Sequence, residues 1–318
     1  MTEPLPFTGE RFTPECVREI WYEHWHRYAF AARFARGRRV LDAACGEGYG
    51  AALLARGGAT SVLGVDVSSA AIEHARQRYG ATPSLRFEAA DATRLDGLPD
   101  ASLDLIVSFE TLEHVEAQER MLDGFARVLA PGGLLVISSP DKRTYSEEAG
   151  FRNEFHVREL YREELEALLA RRFPARRLFG QKLLFQSAIW DLEAPPAKVD
   201  AATASREAET VADGLRYAPL YFVAVCAKDA AALPTLAGRV DLFGDAAESV
   251  YAHYNHEVRK NIAAGGVIAE LERRLAAAEA GAAQARADAA SRSARTSGER
   301  GAAPGLLARV RAWFARSS

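Results

Sequence analysis

The sequence predicts an α/β fold: a mostly parallel sheet of seven strands flanked by helices, with a long helical extension at the C-terminus. Three observations carry this. The short apolar run Val40, Leu41 ends in an acid, Asp42; glycines follow at 46, 48 and 50, and then an Ala-rich run at 51–55, which reads as strand, tight turn and helix. Glycine suits a turn that demands unusual backbone angles and lets a ligand approach bare backbone. Two further strand-like runs, 61–66 and 85–89, lead to acids, Asp66 and Asp91. The run 219–226 is apolar throughout, as a central strand buried on both faces should be.

Taken in order, residues 1–36 form an N-terminal segment. Its first part is Pro-rich, with Phe7, Phe12 and Gly9-Glu10-Arg11. Its second part places Ile20, Trp21, Tyr22, Trp25, Tyr28, Ala29, Ala32 and Phe34 at helical spacing, giving a helix with an aromatic face. That helix packs under the sheet edge, or forms a lid that brings His24 and His26 near a substrate; one helix can do both. The main domain, 37–228, is Rossmann-like. Strands are expected near 38–42, 61–66, 85–89, 103–108, 133–138, 174–179 and 219–227. Helices are expected near 47–55, 68–78, 117–129 and 157–170, with Ser68 as an N-cap and Pro131-Gly132-Gly133 as a helix stop. Residues 191–217 read as a polar surface insertion, helical in part.

Residues 229–262 read as a connector. From 263 to 290, Ile268, Leu271, Leu275, Ala278, Ala282, Ala285 and Ala289 fall on alternating three- and four-residue steps, the seam of a homodimeric coiled coil. A single solvated helix is the alternative. Residues 291–304 are Ser/Arg/Gly-rich and expected to be disordered. Residues 305–318 make a short, basic, one-sided segment suited to an anionic membrane surface or a partner, with a frayed tail as the plain alternative.

Composition excludes several classes. From residue 290 onward six arginines stand against one acid, a net +5, which leaves −8 on the rest of a chain whose total is −3. The body is therefore not a nucleic-acid binder by charge. Three well-separated cysteines, Cys16, Cys45 and Cys226, argue against a disulfide framework or a zinc knuckle. No apolar run approaches the ~18 residues of a membrane span, and the N-terminus does not read as a signal peptide. The cytoplasm is the expected compartment, with peripheral contact at the inner face of the membrane through 305–318.

The fourth strand runs into Phe109-Glu110-Thr111-Leu112-Glu113-His114. In such folds ligands sit beyond the carboxyl ends of the strands. Glu110, Glu113 and His114 stand at i, i+3 and i+4, so one helical turn would bring them onto one face. Three readings stay open. They bind a divalent metal that polarises an acceptor hydroxyl; His114 is a metal-free general base oriented by a carboxylate; or they cap the turn.

The set Asp42, Gly46, Gly48, Asp66 and Asp91 resembles the cofactor site of the class I S-adenosylmethionine methyltransferases. A carboxylate just before the glycines would repel a pyrophosphate but suits a cationic sulfonium. The resemblance implies that Asp42 and the glycine turn hold the methionine end, Asp66 the ribose, and Asp91 with the Ala92 backbone the adenine, with Cys45 and Val67 also among the cofactor-binding residues. Phe109 or Tyr49 would wall the site. Ala44 departs from the class, which often has glycine there.

Glu-x-x-Glu-His resembles the metal motif of the ubiquinone-pathway O-methyltransferases and of the small-RNA 3′-terminal 2′-O-methyltransferases, which add a histidine downstream. His156 is the candidate for that fourth ligand, and the set Glu110, Glu113, His114 and His156 suits Mg²⁺ or Mn²⁺. Over most of 7–190 the motifs Gly-Glu-Arg-Phe, Glu-His-Trp-His-Arg-Tyr-Ala-Phe at 23–30, Ser-Phe-Glu-Thr-Leu-Glu-His at 108–114 and Phe-His-Val-Arg-Glu-Leu at 155–160 resemble bacterial methyltransferases of surface-polysaccharide assembly. That implies O-methylation of a glycan hydroxyl, with glycosyltransferases as partners. Alternatives are a small-molecule acceptor (a quinone precursor or a carboxylate), RNA, and a coiled-coil scaffold for glycan enzymes.

Overall fold

The computed structural model describes residues 19–189, 192–193, 199–205 and 210–300. The segment 1–18, with Phe7, Phe12 and Cys16, lies outside them, as does the basic segment 305–318. The chain divides between Ala247 and Glu248 into two compact units.

The first unit begins with helix α1, Glu19–Ala32, and then alternates strand and helix: β1 Arg39–Ala43, α2 Tyr49–Arg56, β2 Ser61–Asp66, α3 Ser69–Tyr79, β3 Leu85–Ala89, β4 Leu103–Ser108, α4 Gln118–Val128, β5 Leu129–Pro140, α5 Arg162–Ala170 and β6 Ala175–Gln181. A short hairpin, β7 Ala202–Ala204 with β8 Val211–Asp213, precedes β9 Tyr221–Ala227. The main sheet has seven strands in the order β3-β2-β1-β4-β5-β9-β6. β1 to β5 pair in parallel, and β9 runs antiparallel between β5 and β6. This is the expected fold. All seven residues of β9 are buried, in keeping with their unbroken apolar run.

The strands are apolar on both faces because helices cover both. On one side α1, α2 and α3 pack Tyr28, Phe30, Leu54 and Ile72 against Val40, Val107, Val136 and Val225. On the other, α4 and α5 bring Met121, Leu122, Phe125, Leu165 and Leu169 onto Leu41, Ile106, Leu135 and Ala224. Burying each such aliphatic side chain contributes roughly 1.5–3 kcal/mol. Ser68 does cap α3, its Oγ accepting from the Ala71 amide at 3.3 Å.

Three segments differ from expectation. The described part of 191–217 holds the β7–β8 hairpin rather than helix; Thr203 Oγ1 donates to the Gly214 carbonyl and closes it. Residues 229–245 are not loose. Leu236 is buried in the core, Asp241 accepts from His26 of α1 and from Arg33 just after it, and Phe243 stacks on His26. In the second unit one helix, α6 Ser249–Arg300, runs for 52 residues. It includes 291–300, whose serines and arginines interrupt the alanines without a proline to stop the helix. Among the described residues no helix is long and apolar enough to cross a membrane.

Candidate active site

β1, β2 and β4 deliver their last residues to one edge of the sheet, where the parallel strands end. After β1 the chain turns through Ala44 at φ 62°, Gly46 at φ 53° and Gly48 at φ 80°. Gly48 caps α2, and a Cβ there would stand 2.5 Å from the Phe87 ring. Ala44 adopts the left-handed conformation without being glycine, which costs about 1 kcal/mol. A glycine there would take the same conformation without that cost.

Asp42 is wholly buried. Its Oδ1 accepts from the Tyr28 hydroxyl at 3.0 Å, and its Oδ2 has no hydrogen-bond partner among the described residues. Burial raises its pKa to about 7; the Tyr28 hydrogen bond and the nearby Ala51 amide oppose that rise, and Asp66 adds to it. A buried carboxylate with one unsatisfied oxygen fits a cationic ligand. Asp66 stitches the site together: its Oδ2 accepts from the Gly46 amide and its Oδ1 from the Ser68 amide, both at 2.9 Å. A carboxylate has about four lone-pair positions, so these two bonds leave room for ribose hydroxyls. Val67 beside it is 72% exposed. Asp91 caps its own turn, Oδ1 accepting from the Thr93 amide and hydroxyl at 2.8 Å, and Ala92 is buried behind it. Cys45 is buried against Gly64, where a Cβ would meet its Sγ at 2.9 Å.

α1 closes this edge. Tyr28 packs edge-on against both Tyr49 and Phe109, and Trp25 leans on Tyr49. His24 Nδ1 lies 3.1 Å from the Tyr49 hydroxyl; burial, then Arg27, holds its pKa well below the usual imidazole range, so it is neutral.

The acidic motif after β4 is arranged differently from a single helical face. Glu110 has φ 49° and so precedes the 3₁₀ turn Leu112–His114 instead of belonging to it. Its Oε1 lies 3.0 Å from Arg27 Nη1 and accepts from the Ser138 hydroxyl at 2.7 Å. Glu113, His114 and His156 do converge, with one ligand atom of each within 4.8 Å of the others. Glu110 is not in that group. Glu113 is completely buried, and neither carboxylate oxygen has a hydrogen-bond partner among the described residues. Burial, then the Glu110 charge, pushes its pKa well above the ordinary range. His114 Nδ1 lies 3.0 Å from the Phe155 carbonyl. A carbonyl can only accept, so Nδ1 carries the proton and the lone pair is on Nε2. His156 is held by Asn153 at Nε2 and Glu159 at Nδ1, and stacks on Tyr145.

The described residues also show a buried network that the sequence reading missed. Arg27 Nε donates to Gln181 Oε1 at 2.6 Å, its guanidinium lies 4.4 Å from the Tyr221 ring centre, and the Tyr221 hydroxyl donates to Glu23 at 3.1 Å. The available signal was Glu23 and Arg27, an acid and a base one turn apart on an otherwise aromatic helix.

Residues 41–137 match the model of a family described as a methyltransferase domain. A protein of Mycolicibacterium smegmatis named "Probable S-adenosylmethionine-dependent methyltransferase" is 40% identical over 168 residues, covering 52% of this chain and 63% of that one. One from Mycobacterium tuberculosis, Rv3030, carries the same description at 40% identity over 168 residues, covering 52% and 60%. The chain thus spans less than two thirds of the length of the curated relatives it matches. Among solved structures, the YcgJ protein of Bacillus subtilis is 19% identical, covering 65% of this chain and 100% of that one, with a TM-score of 0.46. Over residues 41–137 the chain is thus similar to a methyltransferase domain, and these residues lie in the part of the fold built on the glycine turn.

Proposed function

We propose that the protein transfers a methyl group from S-adenosylmethionine to a sugar hydroxyl of a bacterial surface glycan or its precursor, with Glu113, His114 and His156 activating the acceptor. The observation that carries this is the convergence of a buried, unsatisfied carboxylate with an imidazole whose lone pair is fixed on Nε2.

S-adenosylmethionine supplies the activated methyl carbon on a sulfonium. The chain supplies alignment, exclusion of water and a place for the proton. Asp42 and the turn 44–48 receive the methionine end, Asp66 the ribose, and Tyr28, Tyr49 and Phe109 close over them. The acceptor oxygen attacks the methyl carbon as the carbon–sulfur bond breaks, and the hydroxyl proton passes to His114 Nε2. Glu113, His114 and His156 also suit Mg²⁺ or Mn²⁺, whose chemistry there would be Lewis-acid polarisation of the hydroxyl. Glu159 and Phe155 would then orient the two imidazoles, as outer partners of metal-bound histidines do. Small-molecule O-methylation remains the second reading, because the same three residues would activate any hydroxyl.

The reading extends to assembly and place: a cytoplasmic homodimer joined through 263–290, working beside glycosyltransferases, with 305–318 touching the inner membrane face. Mass spectrometry of the host's surface glycans with and without the gene tests the substrate. Loss of a methyl group from one sugar is expected; an unchanged glycan moves the acceptor to a small molecule.

A further inference from the structure

His156 enters the cluster from residues 151–159, a segment without regular helix or strand between β5 and α5. Two main-chain bonds fasten that segment: the Val157 and Arg158 amides donate to the Glu113 carbonyl at 2.8 and 3.0 Å. The backbone that carries His156 is thus tied to the backbone that carries Glu113. The imidazole ring is held as well. Glu159 Oε1 lies 2.5 Å from its Nδ1, and the Ser146 hydroxyl donates to Glu159 Oε2 at 2.5 Å from behind. Tyr145 stacks on the ring face with centres 5.3 Å apart.

These contacts fix the proton. A carboxylate accepts, so His156 Nδ1 carries the hydrogen and the lone pair is on Nε2. That lone pair is already in use. Asn153 Oδ1 accepts from the Phe155 amide at 3.0 Å, so the atom of Asn153 that lies 3.0 Å from His156 Nε2 is Nδ2. An amide NH₂ only donates. Glu113 meanwhile stands completely buried, with neither oxygen hydrogen-bonded among the described residues. A buried carboxylate of that kind fits a cation, yet the nitrogen that would share the cation is spent on Asn153. One of the two must yield. His156 is held through its backbone, its Nδ1 and its ring face. Asn153 is a half-buried side chain that also hydrogen-bonds Tyr145, which offers a displaced amide another partner.

We propose that Asn153 is a placeholder at the candidate cation site: its amide occupies His156 Nε2 until a divalent cation displaces it. The proposal rests on the metal reading of Glu113, His114 and His156 and deepens it by naming the group that competes with the ion. Two effects oppose each other when the amide is removed. The ring loses one restraint, and the ion loses its competitor. Glu159 and Tyr145 still orient the ring, so the second effect dominates.

Mn²⁺ calorimetry on the full chain tests this with Asn153→Ser, His156→Ala and the two combined. Serine can still accept from the Phe155 amide, as Ser/Thr turns do, but is too short to reach His156. Asn153→Ser should bind Mn²⁺ roughly two- to tenfold more tightly, the range that one neutral hydrogen bond carries. In the His156→Ala background the same substitution should change nothing. Unchanged or weaker binding in Asn153→Ser, or a gain that persists without His156, overturns the proposal. Melting and S-adenosylmethionine affinity on the same samples check the fold, and Asn153→Thr, which keeps the same acceptor, replaces the serine variant should that one melt early. If the wild type binds Mn²⁺ and neither variant binds it more tightly, only the placeholder falls. If no form of the chain binds Mn²⁺, the metal reading falls and the placeholder with it.

Discussion

The Tyr28 hydroxyl reaches Asp42 Oδ1 across 3.0 Å, and it does so over Gly50, where a Cβ would stand 2.0 Å from the tyrosine ring. The third glycine of the turn is therefore not a backbone device. It is a clearance that lets α1 close on the end of β1. Gly50→Ala should push Tyr28 off Asp42 and overpack a buried site at a cost of about 1–3 kcal/mol. Thermal melting should show the loss, and S-adenosylmethionine affinity should fall with it. Tyr28→Phe, which keeps the ring, should lower affinity with a smaller change in melting. Unchanged affinity in both variants would remove Tyr28 from the cofactor site.

Burial holds the Asp42 pKa at about 7, against 3.8 for an ordinary aspartate. The folded state thus binds a proton that the unfolded state has released between those values, so stability falls as pH rises from about 4 to about 7. A cationic ligand favours the ionised form. S-adenosylmethionine should therefore bind with proton release below pH 7, its affinity rising with pH and levelling above it. Calorimetry in buffers of different ionisation enthalpy reads the released proton. Asp42→Asn should abolish both the release and the pH slope; a slope that survives it belongs to another group.

The half of the candidate site at the ends of β1 and β2 was legible because its requirements are local. Positive φ at Gly46 and Gly48 and a carboxylate at each strand end leave marks in contiguous sequence. The acceptor half was less legible. Counting i, i+3 and i+4 placed Glu110 with Glu113 and His114, but that spacing assumes continuous helix, and the φ of 49° at Glu110 breaks it. Arg27 was missed because its partners are distant in sequence, Gln181 on β6, Tyr221 on β9 and Glu110 just after β4, and no local pattern announces a buried cation. His156 was found through family resemblance, and the structure brings it to His114 with ring centres 4.9 Å apart.

The same break in geometry makes the metal question sharp. With Glu110 committed to Arg27 and Ser138, the ligands available are Glu113, His114 and His156. Mn²⁺ binding, followed by calorimetry, should fall at least about tenfold in His156→Ala. It should also fall in Glu159→Gln, which keeps an acceptor for His156 Nδ1 but loses the negative charge behind that ring. Glu110→Gln should leave it within about threefold. If chelator leaves turnover untouched while His114→Ala abolishes it, His114 acts as a base without metal.

Ile268, Leu271 and Leu275 are 55–60% exposed on α6, a helix that contains Gly265, Gly266 and Gly281. Each interior glycine costs about 1 kcal/mol relative to alanine, and long helices draw their stability mainly from packing an apolar face. A second copy would supply that packing. In a parallel pair with Ile268 and Leu275 at a and Leu271 at d, Arg274 occupies a g position and faces Glu279 of the partner subunit at e. Leu271→Glu with Leu275→Glu in the full chain should therefore turn a dimer into a monomer by light scattering and lower the helical signal in circular dichroism. None of the residues given to the cofactor lies in α6, so S-adenosylmethionine affinity should not change. A wild-type chain that scatters as a monomer, or a dimer that survives both substitutions, would show that α6 stands alone or pairs through another face.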